Sequence, residues 1–256
     1  MINFFLFGIP LLCFLFLMII GRYSPVITFF QCFLIVFMAV VCSYFGNIFF
    51  LKSVSSSPNP GYSIVIAKSY MLFTTVVSFF FFGADISMRG VLAILFVLIS
   101  SFFIIVDTKK HDKMTISVHA WVWYAIEAFF CFGLYALISK YLLIQNVPIV
   151  VFLVYIYIIA TSLVFWEMKR KKIQLTSVSK KQHGVLFAIG MSSFIFSYAM
   201  QVSFDAAPNI GYVNAINTSS IAIITICSAF FFHDELTVQK FIGIMGVTVG
   251  LILLVL

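Results

Sequence analysis

Nine long apolar runs dominate the sequence and restrict what the chain can fold into. They cover residues 3–20, 27–51, 62–83, 89–106, 119–143, 148–166, 184–204, 211–232 and 238–256. A helix needs about 20 mostly apolar residues to cross the hydrocarbon core of a bilayer, whereas the strands of a membrane barrel show alternating segments of about ten residues. The runs therefore predict an all-α polytopic membrane protein with about nine transmembrane helices.

The few charged residues lie mostly in the short gaps between these runs. Only 9% of the residues are charged, against about 25% in soluble domains, and the mean hydropathy is +1.18. Lys and Arg in the loops give the net charge of +7, and because such residues fix membrane orientation, we expect no nucleic-acid partner. Their distribution predicts a cytoplasmic N-terminus and an external C-terminus. We expect a multi-pass protein of the inner (plasma) membrane of a bacterium.

Two segments of the sequence repeat each other at a distance of 150 residues. Residues 57–62 (SPNPGY) match residues 207–212 (APNIGY), and the same ungapped shift gives 14 identities in 56 positions between 51–106 and 201–256. An internal duplication explains this match. We predict a first repeat of four helices over 1–106 and a second of five over 119–256. Because five is odd, equivalent helices run in opposite directions, which is the inverted repeat of many secondary transporters.

The segment FFFHDELTVQKFIGIMGVTVGLILL, residues 230–254, carries a resemblance to a known family. It resembles the end of a drug/metabolite transporter (DMT) superfamily protein, an EamA-like permease, with the acid Glu235 in the turn and Asp85 at the equivalent place in the first repeat. The resemblance implies a ten-helix inverted repeat with cytoplasmic termini that moves metabolites, often outward, through a central cavity. We expect this chain to lack the opening helix of the first repeat and to act as a monomer or homodimer.

Two charged residues, Glu127 and Lys68, lie well inside predicted spans and away from the span ends. Glu127 is the only acid there, and it either carries a proton coupled to substrate movement or is a neutral or paired carboxyl buried between helices. Lys68 either extends its long side chain to the interface or faces the cavity, where it would bind a substrate carboxylate or phosphate or pair with Glu127. Charged groups in spans are commonly functional, so both are candidates for substrate binding or coupling.

Polar residues form a stripe in the eighth run and recur at two helix starts. Asn214, Asn217 and Thr218 share one helical face, and either bind substrate or form interhelical hydrogen bonds. Further candidates for the cavity are Tyr198 and Gln201. At the helix starts, the repeated motif supplies candidates for a gate, although Asn is also a favoured N-cap; these residues are Asn59, Tyr62, Asn209 and Tyr212.

No motif for catalysis or metal binding accompanies these residues. The histidines lie at helix ends or in loops, and the cysteines form no CxxC pair. We therefore expect no enzyme activity, no metal and no cofactor, and we interpret Gly243, Gly246 and Gly250 as sites of close helix packing. The sequence favours a secondary transporter of small metabolites that works by alternating access, with export and proton coupling as expectations. The alternative is a membrane scaffold or sensor that transports nothing.

Overall fold

The computed structural model describes residues 2–57, 60–105, 120–172, 180–233 and 235–255. Throughout these ranges the regular structure is helical and contains no strand. The helices are α1 (Ile2–Ile20), α2 (Phe29–Phe37), α3 (Gly46–Ser56), α4 (Pro60–Lys68), α5 (Tyr70–Phe82), α6 (Met88–Ile105), α7 (Ala120–Ile144), α8 (Ile149–Arg170), α9 (Lys180–Ala206), α10 (Ile210–Thr218), α11 (Ser220–Phe232) and α12 (Val238–Val255), and a π-helical segment, Met38–Phe45, joins α2 to α3.

These helices combine into spans that match the predicted runs. Eight spans in the described ranges are long and apolar enough to cross a membrane, and Val238–Leu254 is a shorter apolar helix. Three of the eight contain an irregularity. The π-helical segment interrupts Phe29–Ser56, and single residues interrupt Pro60–Phe82 and Ile210–Phe231. The prediction of an all-α polytopic membrane protein is confirmed.

The chain divides into two compact units that do not follow the order of the sequence. Unit 1 consists of Met1–Phe45 and Ile138–Ala206. Here α1 packs against α8 and α9, and the buried ring of Phe14 lies 5.5 Å from the ring of Tyr157 and 4.8 Å from that of Phe194. Aromatic and aliphatic side chains thus form the interior of this unit.

Unit 2 consists of Gly46–Leu137 and Ala207–Leu256. In this unit α12 packs along α6, α10 packs along α5, and α4 packs against α3 and α6. Both ranges contribute helices to the interior, so the unit combines segments of the two predicted repeats.

Glycines on α12 explain how closely that helix approaches α6. A Cβ atom on Gly243 would lie 2.8 Å from the backbone oxygen of Ser100, and one on Gly250 would lie 2.7 Å from the side chain of Val97. Only residues without a side chain fit at these distances. The close packing expected of these glycines is confirmed, and the order of the contacts shows that α6 and α12 are antiparallel.

The helices α4, α5 and α6 recur as α10, α11 and α12, with each boundary displaced by 150 residues. The ends of the helices match in detail. Gly83 after α5 and His233 after α11 both have a left-handed backbone, with φ of 62° and 57°. Hydroxyl oxygens of Ser87 and Thr237 accept hydrogen bonds from backbone N–H groups in the first turns of α6 and α12. Because α6 and α12 are antiparallel, these equivalent helices run in opposite directions.

Candidate functional site

Polar side chains join α10 to α5 in the interior of unit 2. Asn214 is fully buried, and its Nδ2 group donates to Thr74 Oγ1 at 3.0 Å. Tyr70 donates its hydroxyl to Asn214 Oδ1 at 3.3 Å. We call Tyr70, Thr74 and Asn214 the α5–α10 cluster. It contains one of the predicted site residues, Asn214, and uses its amide for interhelical contacts. Asn217 is half-buried on the same helix.

The other residues of the predicted α10 stripe and helix starts have mainly local partners. Thr218, also fully buried, donates to the backbone oxygen of Asn214 at 2.8 Å within its own helix. Asn209 is the N-cap of α10 and accepts from the N–H of Gly211 at 2.9 Å. Its Nδ2 group also donates to the backbone oxygen of Thr75 at 3.4 Å. The capping interpretation of Asn209 therefore has direct support.

The two tyrosines of the repeated motif have different surroundings. The hydroxyl of Tyr212 accepts from the backbone N–H of Ser87 at 3.4 Å. The ring of Tyr62 instead lies 6.1 Å from the ring of Phe102 and 6.4 Å from that of Trp121. Tyr212 thus hydrogen-bonds the residue before α6 in the other repeat, whereas Tyr62 packs on Trp121 near the start of α7. Asn59, the remaining gate candidate, lies outside the described residues.

Two of the spans in unit 2 are interrupted at equivalent serines. Ser69 stands between α4 and α5 with φ −63° and ψ −6°, and Ser219 stands between α10 and α11 with φ −63° and ψ −16°. Each hydroxyl donates to a backbone oxygen three residues earlier at 2.6 Å. Side-chain bonds of this kind compete with the regular helical pattern and bend helices. The backbone N–H groups of Ser69 and Ser219 keep helical bonds to Val65 and Ala215 at 3.0 and 3.1 Å, so each interruption is a single tightened turn and not an unwound segment.

Lys68 is the last residue of α4 and adjoins the first interruption. It lies about 12 Å along the helix axis from Pro60, as the ninth residue of a span of 23 residues, and is therefore well inside that span. The side chain is half-buried and makes no hydrogen bond or ion pair with the described chain. An unpaired charge at the bilayer centre costs about 2.5–3.5 kcal/mol on insertion scales, whereas the dipole of α4 offsets only about 0.3–1 kcal/mol.

Glu127 lies on an exposed side of α7. On the same side, Trp123 and Phe130 are 65% and 48% exposed. Within the described chain, the carboxyl group of Glu127 forms no hydrogen bond and no ion pair. Glu127 is therefore not paired with Lys68. In the described structure Glu127 is exposed and is not enclosed between helices.

Unit 1 contains a second group of polar side chains. The Tyr157 hydroxyl lies 2.6 Å from Ser197 Oγ, within hydrogen-bonding distance. Of the two candidates predicted on α9, Tyr198 is 39% exposed, whereas Gln201 is 1% exposed. The Oε1 atom of Gln201 has no hydrogen-bond partner in the described part of the chain. Gln201 is thus an interior residue with an unused acceptor, and Tyr198 lies at the surface of the helix.

Sequence reasoning missed several members of these groups. It did not single out Tyr70 and Thr74 as site residues, although they lie one turn apart in a span. It also missed Tyr157 and Ser197. A search for hydroxyl residues one turn apart would have found the first pair. Within the described ranges no three His, Cys, Asp or Glu side chains are arranged to hold a metal ion.

Helices that recur in opposite directions and charged groups within spans are together features of membrane transporters. The model of the EamA-like transporter family matches residues 119–256, more than half of the chain, and the chain belongs to that family. Members of this family are membrane transporters of small molecules and not enzymes. The resemblance to EamA-like permeases of the DMT superfamily is confirmed.

The fold is also similar to a solved structure. One crystal structure, described only as that of a protein, aligns with 100% of this chain and 88% of its own chain, with a TM-score of 0.83 and 12% sequence identity. At this identity the similarity concerns the fold alone, and it includes residues 1–118, which the family model does not match. No curated protein matches the chain.

Proposed function

We propose that this protein is a secondary transporter that exports small metabolites by alternating access. The observation that carries the proposal is the duplication within unit 2, where α4–α6 and α10–α12 have the same boundaries and the same interruption but opposite directions. Two copies of one structure in opposite orientations can exchange conformations, which opens a site to one side of the membrane and then to the other. In this proposal the protein acts in the inner membrane of a bacterium, as a monomer or a homodimer.

The polar contacts of the two repeats support this mechanism because they are unequal. Tyr212 on α10 contacts the start of α6 through Ser87, whereas its equivalent Tyr62 packs against aromatic rings. An inverted repeat that alternates must hold its halves in different conformations at any one time. In this proposal the α10 contacts close one side, and the equivalent contacts of α4 form when the other side closes.

Proton coupling through Glu127 is part of the proposal. Its exposed position on α7 gives the carboxyl group access to water only if a polar cavity reaches it. Binding of a proton there would remove the charge, and a transporter couples two ligands when each changes the stability of the same conformational state. The transporter would therefore export one substrate molecule in exchange for the uptake of a proton.

The test is release of metabolites from proteoliposomes. Liposomes that contain the purified protein are loaded with a mixed metabolite extract, and mass spectrometry follows which compounds leave faster than from empty liposomes, with and without a pH gradient. We expect selective release that the gradient accelerates. Release of no compound under either condition would overturn the proposal and favour the scaffold or sensor.

Glu127→Gln tests the coupling separately. This variant should lose the acceleration by the pH gradient and keep its folded yield, because glutamine has nearly the same shape but cannot take up a proton. Glu235→Gln, the same change in the turn between α11 and α12, is the matched control and should respond to the gradient like the wild type. Acceleration that persists in Glu127→Gln would remove Glu127 from the mechanism.

A further inference from the structure

Lys68 has no partner for its charge in the described chain. The ammonium group has three N–H donors and no acceptor, and none of the three is used. The ion pair that the structure describes lies elsewhere, between Lys171 and Glu167 in unit 1. In unit 2, the described acids Asp85, Glu127 and Glu235 form no ion pair with Lys68. Within the described residues, the positive charge inside this span thus has no ion-pair partner.

Lys140 shows how another lysine in a helix of this chain is accommodated. Its Nζ atom donates to the backbone oxygens of Phe204 and Asp205 at 2.7 and 3.2 Å, which lie at the C-terminal end of α9. Carbonyl groups at the end of a helix satisfy a cation in this way. Lys68 makes no equivalent contact, although it stands beside the interruption at Ser69. Its donors therefore remain available to a ligand.

Lys68 also stands where the two repeats differ. Its equivalent is Thr218, which is fully buried and donates to Asn214 within its own helix. A residue needed only to maintain the interruption would be expected to be alike in both repeats, because Ser69 and Ser219 have the same backbone geometry and the same hydrogen bond. The lysine adds a charge that the geometry of the interruption does not require.

Lys68 lies inside its span and not at the helix start. It is about 12 Å along the helix from Pro60, which is farther than a lysine side chain extends. An occupant that brings a negative charge to the ammonium group would neutralise it and provide acceptors for its donors.

From these observations we infer that Lys68 binds the anionic group, a carboxylate or a phosphate, of the transported substrate. This inference rests on the proposed transport function and adds the substrate class to it. The ammonium group of Lys68 and the bound anionic group form a neutral pair. The protein can then change conformation without an unpaired charge at membrane depth. The substrates are accordingly small organic acids or phosphate esters, and the neutral analogue of each is bound far more weakly.

Ligand-induced thermal stabilisation of the protein in lipid nanodiscs tests the inference. The probes are two matched pairs, succinate against succinamide and glucose 6-phosphate against glucose, at constant ionic strength. We expect at least one anionic probe to stabilise the wild type and its neutral analogue to do so at about tenfold higher concentration, because a hydrogen bond to a charged group contributes about 1.5–3 kcal/mol. The pair that responds distinguishes a carboxylate site from a phosphate site.

Three variants assign the effect to this residue. Lys68→Gln should weaken the response to the anionic probe about tenfold, whereas Lys68→Arg should keep most of it. Lys52→Gln, which removes an exposed lysine whose Nζ lies 5.4 Å from the ring of Tyr124, is the matched control and should respond like the wild type. Equal responses of wild type and Lys68→Gln, or no stabilisation by either anionic probe, would overturn the inference.

The two proposals fail in different ways. If wild-type protein releases metabolites from liposomes but Lys68→Gln releases the same compounds at the same rate, transport stands and the role of Lys68 is wrong. If anionic probes stabilise the protein through Lys68 but no compound is released, the binding site stands and the transport proposal is wrong.

Discussion

At the scale of single residues, the α5–α10 cluster shows how polar groups are accommodated in an apolar helical interior. Asn214 uses both its amide oxygen and its amide nitrogen, and Thr74 both accepts from Asn214 and donates to the backbone oxygen of Met71. A buried polar group without a partner is costly in the membrane. The cluster therefore stabilises unit 2 and fixes how α10 is rotated against α5.

A double-mutant cycle on Tyr70 and Asn214 measures this stabilisation. Asn214→Leu and Tyr70→Phe should each lower the free energy of unfolding, and the double variant should lose less than the sum. We expect a coupling energy of about 0.6–1.7 kcal/mol, the range found for interhelical hydrogen bonds in membranes. The measurement is reversible unfolding in mixed lipid and detergent micelles.

The control cycle combines Asn214→Leu with Tyr62→Phe. Tyr62 is equivalent to Tyr212 by the repeat and contacts aromatic rings, so its hydroxyl should show no coupling to Asn214. Equal coupling energies in the two cycles would mean that the variants destabilise unit 2 in a general way, and that the coupling does not measure a specific hydrogen bond.

At the scale of helices, close contact between α6 and α12 holds unit 2 together. Between these helices there is no hydrophobic driving force of the kind that acts in water, since lipid is equally apolar, and van der Waals packing takes its place. Glycine at positions 243, 246 and 250 allows this packing because neighbouring side chains and backbone lie where a Cβ atom would stand. The antiparallel pair is thus the centre of the duplicated structure.

Gly243→Ala should lower the free energy of unfolding by about 1–3 kcal/mol, the usual cost of overpacking. The new methyl group would lie 2.8 Å from the backbone oxygen of Ser100, which cannot move as a side chain can. Gly184→Ala is the control, because nothing lies within 4 Å of the position that its Cβ would take. Comparable losses in both variants, measured by thermal unfolding in nanodiscs, would contradict the packing argument.

At the scale of the whole molecule, the spans could be predicted from sequence because each is set by local hydropathy. The duplication was also predictable, since its motif survives in 57–62 and 207–212. The packing of the polar residues could not be predicted from the sequence. Tyr70 and Asn214 are 144 residues apart, and nothing in the sequence near either residue identifies the other. The side of α7 that carries Glu127 was equally hidden, because apolar residues surround every face of that helix.

The final prediction concerns the topology that follows from the inverted repeat. The turn after α5 contains Asp85 and the turn after α11 contains Glu235, equivalent positions in copies that run in opposite directions. The two turns should therefore lie on opposite sides of the membrane, and the distribution of Lys and Arg places Asp85 outside and Glu235 in the cytoplasm. Single-cysteine variants Asp85→Cys and Glu235→Cys, with the exposed Cys32 and Cys227 replaced by alanine, distinguish the sides.

A membrane-impermeant maleimide added to intact cells should label Asp85→Cys at once and Glu235→Cys only after permeabilisation, while the parent without either new cysteine stays unlabelled. The reverse pattern would keep the inverted repeat and invert the orientation, because the charge distribution and the duplication are independent arguments. Labelling of both variants from the same side would contradict the repeat itself, and with it the alternating-access proposal, since two copies with the same orientation cannot exchange inward-open and outward-open conformations.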